Sequence, residues 1–337
     1  MLWVGTYAAK GGAGLHPIQR SDAALRVGEP EPGIVNASFG VWSDAARTAY
    51  FVDEREEGRI TAWRRDSGRW RSIGAESTGG ALPCYVSLSP DRRSVAVANY
   101  GDGSVALIGL DPESGRLGQI TDIVRHTGRG KDPERQEGPH AHCAVFTEDG
   151  RELYHVDLGQ DRVFAYAIAS GRIERQAIAL VLPGGAGPRH IALHPDRQHA
   201  LLLCELSGEL LLLRRESEGL RVIHALPGAP EGGGADNLGG HLSIAADGSI
   251  LVTNRGHDSL AEFAISGGRL MRRGWRHTGG ASPRHFHLDG VHALVAHEES
   301  GSVSLLARPS AEGDAGPCAT AAVPGAAFVI DFPELNG

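Results

Sequence analysis

The sequence predicts an all-β fold: a seven-bladed β-propeller in one domain, residues 1–337, with a composite blade formed by the N- and C-terminal strands. Three observations predict it. The chain is rich in turn-forming residues, a four-strand pattern recurs every 42 to 58 residues, and one unmatched strand remains at each end. Repeats of this length with four strands each are typical of propeller blades.

The composition excludes several fold classes. The 337 residues include 47 glycines and 18 prolines, while 41% of the chain is hydrophobic and 22% is charged. This balance indicates a globular chain with a core, because disordered and collagen-like chains have too few apolar residues. Glycine and proline at this density interrupt helices every few turns. Short strands joined by many turns are therefore favoured.

The repeat is visible as an alternating apolar stretch that ends in a turn centred on aspartate. Residues 83–91 read PCYVSLSPD, and residues 188–196 read PRHIALHPD. A second strand, a third strand and a weaker fourth strand follow each turn. The turns centre on Ala45, Asp91, Asp149, Asp196, Asp247 and Asp289.

The two ends of the chain supply the seventh blade. Six full repeats leave over a strand at residues 3–7 and another at residues 327–330. Pairing these strands in one blade closes the fold and removes both exposed sheet edges. The alternative is a six-bladed ring with flanking strands. Two Gly- and Pro-rich stretches, residues 128–138 and 228–240, are expected to form long loops.

Charge and targeting signals restrict the partners. The net charge is −8, which argues against a nucleic-acid partner. No run of 18 apolar residues is present, and no signal peptide is expected, so we predict no membrane association. Four scattered cysteines without a Cys-x-x-Cys pair indicate reduced thiols in the cytoplasm. A cytoplasmic monomer or small homo-oligomer is therefore expected.

The register of the repeat places the polar residues. The first two strands of each repeat are antiparallel, so the start of the first lies beside the end of the second, opposite the Asp turn. The starts carry Ser38, Cys84, His142, Arg189, Gly240 and Arg284. The ends carry Asp53, Glu54, Asn99, Tyr100, Asp157, Leu158, Cys204, Glu205, Asn254, Arg255, His297 and Glu298. We expect a polar pocket there, although solvated strand ends are the alternative.

Several motifs at these positions resemble one family. They lie at Val4–Tyr7, Ala98–Val105, Arg135–His142, Gly187–His190, Glu205–Ser207 and Asn254–Ser259. In order and spacing they are similar to the lactonase family of seven-bladed β-propellers, which includes the propeller-type 6-phosphogluconolactonases and the carboxy-cis,cis-muconate lactonising enzymes. The resemblance implies a lactonase, a carboxylic ester hydrolase, of carbohydrate metabolism. It extends along nearly the whole chain.

The resemblance also implies residue roles. A histidine, an arginine and a glutamate acting together correspond to His142 (or His140), Arg189 and Glu205. Hydrolysis of a lactone needs a base for water, stabilisation of the developing oxyanion, and a proton for the leaving alkoxide. We assign Glu205 or His142 as the base and Arg189 as the group that polarises the carbonyl. A structural Arg–Glu ion pair is the alternative.

Substrate binding is assigned to polar residues around this trio. Arg255 and Arg284 are expected to bind a phosphate or carboxylate tail. Further predicted substrate-binding residues are Asn99, Asn254, Gln136, Asp157, His190 and His241. For the two asparagines the alternative role is to cap a strand end in a turn. The chain departs from the family pattern at Cys204, His241, His285, His287 and His297, which leaves the substrate open.

No cofactor and no metal ion are predicted. His140 and His142 could bind a metal ion with Asp157 only in a loop, because alternate residues of a strand point to opposite faces. Cys204 as a nucleophile is less favoured than a buried inert thiol. The sequence contains no Gly-x-Ser-x-Gly elbow and no nucleotide-binding glycine loop before a helix.

The preferred function is hydrolysis of a sugar-acid lactone, similar to 6-phosphogluconolactone, by metal-free general acid–base catalysis. The expected partner is a small anionic or sugar-derived substrate. One alternative is a cycloisomerase or lyase that opens or closes a ring on a carboxylate substrate. Another is a non-catalytic binding propeller, which a pocket filled by the loop at residues 228–240 would favour.

Overall fold

The computed structural model describes residues 1–21, 23–66, 68–230, 234, 236–309 and 316–332, and these residues are mainly in strands. They form seven four-stranded antiparallel sheets and one short 3-10 helix, Ala8–Lys10. Sheet order follows chain order in six sheets. The predicted all-β fold, a seven-bladed β-propeller, is confirmed.

The composite blade comprises β1 (Leu2–Thr6), β2 (His16–Ser21), β3 (Ala24–Val27) and β28 (Ala326–Asp331). Blade 1 comprises β4 (Gly40–Ser43), β5 (Thr48–Asp53), β6 (Arg59–Asp66) and β7 (Arg69–Ser77). Blade 2 comprises β8 (Pro83–Leu88), β9 (Ser94–Asn99), β10 (Ser104–Leu110) and β11 (Leu117–Val124). Blade 3 comprises β12 (Ala141–Phe146), β13 (Glu152–Asp157), β14 (Arg162–Ala169) and β15 (Arg172–Val181).

Blade 4 comprises β16 (Pro188–Leu193), β17 (His199–Cys204), β18 (Glu209–Glu216) and β19 (Gly219–Pro227). Blade 5 comprises β20 (Leu238–Ile244), β21 (Ile250–Arg255), β22 (Ser259–Ser266) and β23 (Arg269–His277). Blade 6 comprises β24 (Pro283–Asp289), β25 (His292–His297), β26 (Ser302–Ala307) and β27 (Ala319–Ala322). The predicted loop at residues 228–240 is therefore shorter than expected, because β20 begins at Leu238; its residues 231–233 and 235 lie outside the described part of the chain.

The composite blade joins the two ends of the chain. Its strand order is β28-β1-β2-β3, and β28 pairs with β1 from Leu2–Asp331 to Gly5–Phe328. The predicted pairing of terminal strands is confirmed. Seven four-stranded sheets within the described residues also exclude the six-bladed alternative.

The strands group into two compact units. The first contains residues 1–35 and 188–332, which include the composite blade and blades 4, 5 and 6. The second contains residues 36–187, which include blades 1, 2 and 3. That residues 1–337 form one domain stays a prediction.

The core of each unit lies between neighbouring blades. In the first unit, Leu203 and Leu212 of blade 4 pack with Val252 and Phe263 of blade 5. In the second unit, residues of blades 2 and 3 form one cluster. The second strands are almost wholly buried, whereas outer strands such as β15 are largely exposed. Burial on both faces explains why the second strands are continuous apolar runs rather than alternating ones.

The repeated aspartates stabilise the turns as their positions suggest. In four blades the Oδ1 atom of the anchor aspartate accepts a hydrogen bond from the backbone N–H two residues later. This is the local geometry of an Asx turn, which competes with strand pairing and ends the strand. The anchors involved are Asp91, Asp149, Asp196 and Asp247.

Tyr166 of blade 3 contacts two histidines: the buried His155 of the same blade and the half-buried His126, which follows β11 of blade 2. His155 Nδ1 lies 2.8 Å from the Tyr166 hydroxyl oxygen, and His126 Nε2 lies 2.7 Å from the same oxygen. His155 is fully buried, and burial lowers its pKa to about 3, with a smaller contribution from His126. The folded protein therefore holds His155 neutral.

This histidine should make stability depend on pH. The unfolded chain protonates His155 near pH 6.5 and the folded chain only near pH 3, so its stabilising effect is present above pH 6.5 and is lost as the pH falls. Between pH 7 and pH 5 we expect the free energy of unfolding to fall by about 2 kcal/mol through this group. Urea unfolding of the parent chain and of His155→Leu, each at pH 7 and at pH 5, measures this fall in the free energy of unfolding. Equal pH losses in the two proteins would contradict the assignment.

Candidate active site

The first strands of five blades carry a β-bulge near their start. In β8, β12, β16 and β24 one residue falls between two paired residues and faces no partner in the ladder. In β20 two residues face one residue of β21. A bulge bends the strand and redirects the side chain of the extra residue. The extra residues are Cys84, His142, Arg189, Arg284 and, in β20, Gly240 with His241. Five of the six strand-start positions predicted from the register are therefore bulge positions, whereas Ser38 precedes β4.

In the first unit, the bulge at Arg189 brings its guanidinium onto Glu205. Arg189 Nη1 forms an ion pair with Glu205 Oε2, and Arg255 Nη2 lies 2.8 Å from the same oxygen. The side chains of Arg189 and Glu205 are 4% and 3% exposed, so this pair is almost completely removed from water. Of the predicted site residues, the structure brings these three together.

Two cations on one carboxylate leave a net positive charge. Burial and, to a smaller extent, the charge of Arg255 lower the pKa of Arg189 to about 10, although Glu205 opposes the change. Arg189 therefore remains a guanidinium at neutral pH. The Nε of Arg255 is buried and has no hydrogen-bond partner among the described residues. A buried cation with a spare N–H donor is suited to bind an anionic or carbonyl oxygen.

A second ion cluster surrounds Glu298, also in the first unit. Arg284 Nη1 lies 3.0 Å from Glu298 Oε2, and Lys10 Nζ lies 2.7 Å from Glu298 Oε1. The Arg284 guanidinium lies 5.4 Å from the centre of the Tyr7 ring, within cation–π distance. Burial alone would raise the pKa of Glu298, but Arg284, Lys10 and Arg255 hold it at about 2.

The sequence places Glu298 among the polar strand ends without giving it a role, and it assigns no role to Lys10 or Tyr7. Glu298 was visible as a strand-end residue at the register of Glu205, and this was the signal that could have selected it. Lys10 lies in the 3-10 helix after β1, where repeat counting gives no position. Its contact with a residue 288 positions later depends on the composite blade.

Three histidines form a cluster beside Arg189, in which His241 stacks on His285 and meets His190 edge-on. His241 Nδ1 lies 3.1 Å from His190 Nδ1, and the rings of His241 and His285 stack at 3.9 Å between centres. Burial lowers the pKa of His241 to about 3, aided by Arg189, and lowers that of His285 well below its usual value. A groove of about 480 Å³ runs from His241, His285 and His287 to the turn residues Asp247 and Gly290. Neutral imidazoles avoid repulsion of the neighbouring guanidinium.

The second unit contains the other two predicted catalytic residues, His140 and His142. The ring of His140 stacks on Tyr100 at 4.4 Å, its Nδ1 lies 2.9 Å from the Tyr100 carbonyl oxygen, and its backbone N–H donates to Asp157 Oδ1 at 2.9 Å. His142 Nδ1 lies 3.8 Å from Cys84 Sγ. His140 and His142 thus have different neighbours. That His142 shares one cavity with Arg189, Glu205 and Arg255 stays a prediction.

Several predicted binding residues are engaged inside the protein. Asn99 and Asn254 are fully buried, and their amide groups donate to the hydroxyls of Ser104 and Ser259. This is the capping geometry that was the alternative role for both asparagines. Gln136 is also buried; its Nε2 donates to the carbonyl of Leu158 and its Oε1 accepts from loop N–H groups. Their roles toward a substrate stay predictions.

Asp157 is buried as well, and its neighbours are local. Its Oδ2 accepts from Gln160 Nε2 at 2.8 Å, while its Oδ1 accepts backbone N–H groups. Burial raises the pKa of Asp157, although these hydrogen bonds oppose the shift. Across the residues that the structure describes, no three His, Cys, Asp or Glu side chains converge in a way that could hold a metal ion.

The four cysteines differ in their exposure to solvent. Cys84, Cys143 and Cys204 are buried, Cys318 is exposed, and all four are free thiols. Cys204 ends β17, directly before Glu205.

No helix within the described ranges is long and apolar enough to cross a bilayer. Cellular location and oligomeric state stay predictions.

Comparison with known proteins gives the family. The family described as "Lactonase, 7-bladed beta-propeller" matches residues 1–331. The chain is 30% identical over 323 residues to a 6-phosphogluconolactonase of Bacillus subtilis (strain 168), covering 92% of each chain. It also resembles the solved structure of a periplasmic gluconolactonase of Pseudomonas aeruginosa, with 30% identity, a TM-score of 0.87 and 98% of each chain covered.

A protein from Lactobacillus plantarum has a similar structure, with 28% identity, a TM-score of 0.87, and 97% of this chain and 98% of that chain covered. These similarities extend over the composite blade and all six others, so they concern the whole fold and not one motif. The prediction of a lactonase is confirmed at this level. With its buried Arg189–Glu205–Arg255 cluster, the chain belongs to the lactonase family of seven-bladed β-propellers, a family of lactone-hydrolysing enzymes.

Proposed function

We propose that the protein hydrolyses an anionic sugar-acid lactone, similar to 6-phosphogluconolactone, without a metal ion, at the Arg189–Glu205–Arg255 cluster. The observation that carries the proposal is the Glu205 carboxylate buried against two guanidinium groups. Two relatives are named as a 6-phosphogluconolactonase and a gluconolactonase, and these names support a sugar-derived lactone.

The chemistry of the cluster fits the reaction. Water adds to the lactone carbonyl, a base accepts the proton of that water, and the negative charge that develops on the carbonyl oxygen needs preorganised donors. Arg189 and Arg255 provide N–H donors that are already fixed. The ring C–O bond then breaks, the alkoxide takes up a proton, and the product acid ionises. Glu205 accepts the proton in this proposal, and His142 is the alternative base.

The charges around the cluster support an anionic substrate. Arg189 and Arg255 share Glu205, and Arg284 and Lys10 share Glu298, so each group of three carries one net positive charge. In a low-dielectric site, surplus cations attract an anion more strongly than the same charges would in water. The phosphate or carboxylate tail of the substrate is assigned to Arg284, and the charge of Arg255 also acts on Glu298.

Replacing Arg284 tests the substrate class. We expect Arg284→Gln to raise the KM for 6-phosphogluconolactone about tenfold or more, because one charge-assisted contact is lost, and to leave hydrolysis of neutral gluconolactone unchanged. Arg308→Gln is the matched control, since Arg308 binds Glu262 and Asp247 in a different ion cluster. An equal rise in KM for both lactones would contradict the role of Arg284 in binding the anionic tail.

The activity itself is tested on the purified protein. Ring opening of 6-phosphogluconolactone and of gluconolactone is followed by proton release, with spontaneous opening subtracted. Hydrolysis of at least one lactone is expected, and incubation with EDTA should leave the rate unchanged. Loss of activity with EDTA and its return with a divalent ion would overturn the metal-free mechanism. Absence of activity on both lactones would overturn the proposed function.

A further inference from the structure

Two consecutive glycines at the start of β20 contact both arginines of the cluster. The carbonyl oxygen of Gly240 accepts a hydrogen bond from Arg189 Nε at 2.6 Å. The carbonyl oxygen of Gly239 accepts one from Arg255 Nη2 at 2.9 Å. Each guanidinium is therefore held between Glu205 and one glycine carbonyl. Bonds from two directions fix the plane of a guanidinium, which one ion pair alone does not.

The bulge in β20 makes the carbonyl of Gly240 available. Gly239 pairs with Asn254 and Leu242 with Val252, so Gly240 and His241 together face Thr253. In a regular ladder the carbonyl of Gly240 would bond to a strand neighbour, whereas a bulge releases it. The bulge is itself held, because the N–H of His241 donates to Thr253 Oγ1 at 2.8 Å.

The strand is tied to Glu205 through its backbone as well. The N–H of Gly239 donates to the carbonyl oxygen of Glu205 at 3.0 Å. The glycine pair therefore contacts the backbone of the carboxylate residue and the side chains of both of its cations. Any shift of β20 would move these groups relative to one another.

Neither position has space for a side chain. A Cβ on Gly240 would lie 2.4 Å from Thr253 Oγ1 and 2.8 Å from the carbonyl oxygen of Pro283. A Cβ on Gly239 would lie 2.5 Å from the carbonyl oxygen of Cys204. Contacts this short force the backbone to move, and both carbonyls belong to that backbone.

We propose that Gly239 and Gly240 are positioning residues of the active site: their carbonyl oxygens clamp Arg255 and Arg189 on Glu205 in the geometry that the reaction needs. The inference rests on the proposed lactone hydrolysis. The glycines touch no reacting atom and act through the two arginines. A displacement of about 1 Å at such groups lowers a rate about 10²-fold.

The Gly240→Ala protein tests the clamp, with Gly40→Ala as the matched control. Gly40 also begins an inner strand, β4, and its added Cβ would lie 2.5 Å from the Phe51 ring, but it contacts neither arginine. We expect Gly240→Ala to lower kcat about 10- to 100-fold with less than about a threefold change in KM, while Gly40→Ala keeps kcat. Thermal unfolding of both proteins shows how much each substitution destabilises the fold.

Thr253→Val is the second variant, for the case that Gly240→Ala does not fold. It keeps the shape of the buried side chain and removes the hydroxyl that holds the bulge. Here kcat should fall while KM is kept. Folded Gly240→Ala or Thr253→Val proteins with the kcat of Gly40→Ala would overturn the proposal.

An NMR measurement tests the clamp without substrate. The Nε–H of Arg189, assigned by its loss in Arg189→Lys, should be protected from exchange in the parent chain and in Gly40→Ala, and unprotected in Gly240→Ala. Protection retained in Gly240→Ala would also overturn the clamp. If the parent chain hydrolyses neither lactone, the proposed function fails and this measurement alone decides whether the glycines hold the arginines.

Discussion

The Glu205→Gln protein should hydrolyse its lactone about 10²- to 10⁴-fold more slowly than the parent chain, the usual contribution of a general base. The amide keeps the shape of the side chain but cannot accept the proton of the attacking water. The substitution should also destabilise the fold by about 3–5 kcal/mol, because Arg189 and Arg255 lose a buried counter-charge. Steady-state kinetics and urea unfolding measure the two effects separately.

Glu262→Gln is the control that separates catalysis from stability. Glu262 is 9% exposed and binds Arg308 through both carboxylate oxygens, so its loss also removes a buried counter-charge, and Arg308 keeps only Asp247 as a carboxylate partner among the described residues. This protein should lose stability and keep kcat. Full activity in Glu205→Gln would assign the base to His142, and equal kinetic losses in both variants would show that Glu205 has no chemical role.

Deletion of residues from Phe328 onward should prevent stable folding. It removes most of β28, and with it the pairing of β1 with Val329, Ile330 and Asp331. The edge of β1 is then exposed, and the cluster that contains Leu2, Val4 and Leu294 loses its contacts with Val329. We expect a fall in Tm of more than about 10 °C, or no cooperative transition at all. Circular dichroism and calorimetry measure this.

A point substitution gives the same information where the truncated protein cannot be purified. Phe328 is 2% exposed and packs against His285, so Phe328→Ala should cost about 3–5 kcal/mol. Val291→Ala, at a position that is 72% exposed, should change stability by less than about 0.5 kcal/mol. A truncated chain that melts like the parent chain would refute the closing role of β28.

The fold could be predicted from the sequence because every blade repeats the same arrangement of four strands and turns. Each blade needs a turn after its first strand and a doubly buried second strand, and both leave a record in the sequence: an anchor such as Asp91, and an apolar run such as Ser94–Ala98. The unmatched strands at the two ends then have only each other as partners. The repeat in the sequence therefore predicts both the number of blades and the pairing of the two terminal strands.

The site could be predicted only in part, because its geometry depends on single-residue irregularities. Counting from the turns located Arg189 and Glu205, yet nothing in the sequence marks the bulge that turns Arg189 toward Glu205. Lys10 was missed because its partner Glu298 is distant in the chain. The substrate role of Asn99 stays a prediction, and the donation of its amide to Ser104 inside the blade is a contact that counting does not supply. Exposure of a strand end is a tertiary property that counting does not supply.

The composite blade also has a consequence for how the chain is made. Among the strands that the structure describes, β1 leaves the ribosome first and its partner β28 leaves last. At about 5–20 residues per second, translation of the intervening chain takes about 15–60 s, and the free edge of β1 has no native neighbour during that time. Growing chains on one messenger present the same edge to each other. Translation speed and chaperone supply, more than the stability of the finished protein, are therefore expected to set the yield of native molecules.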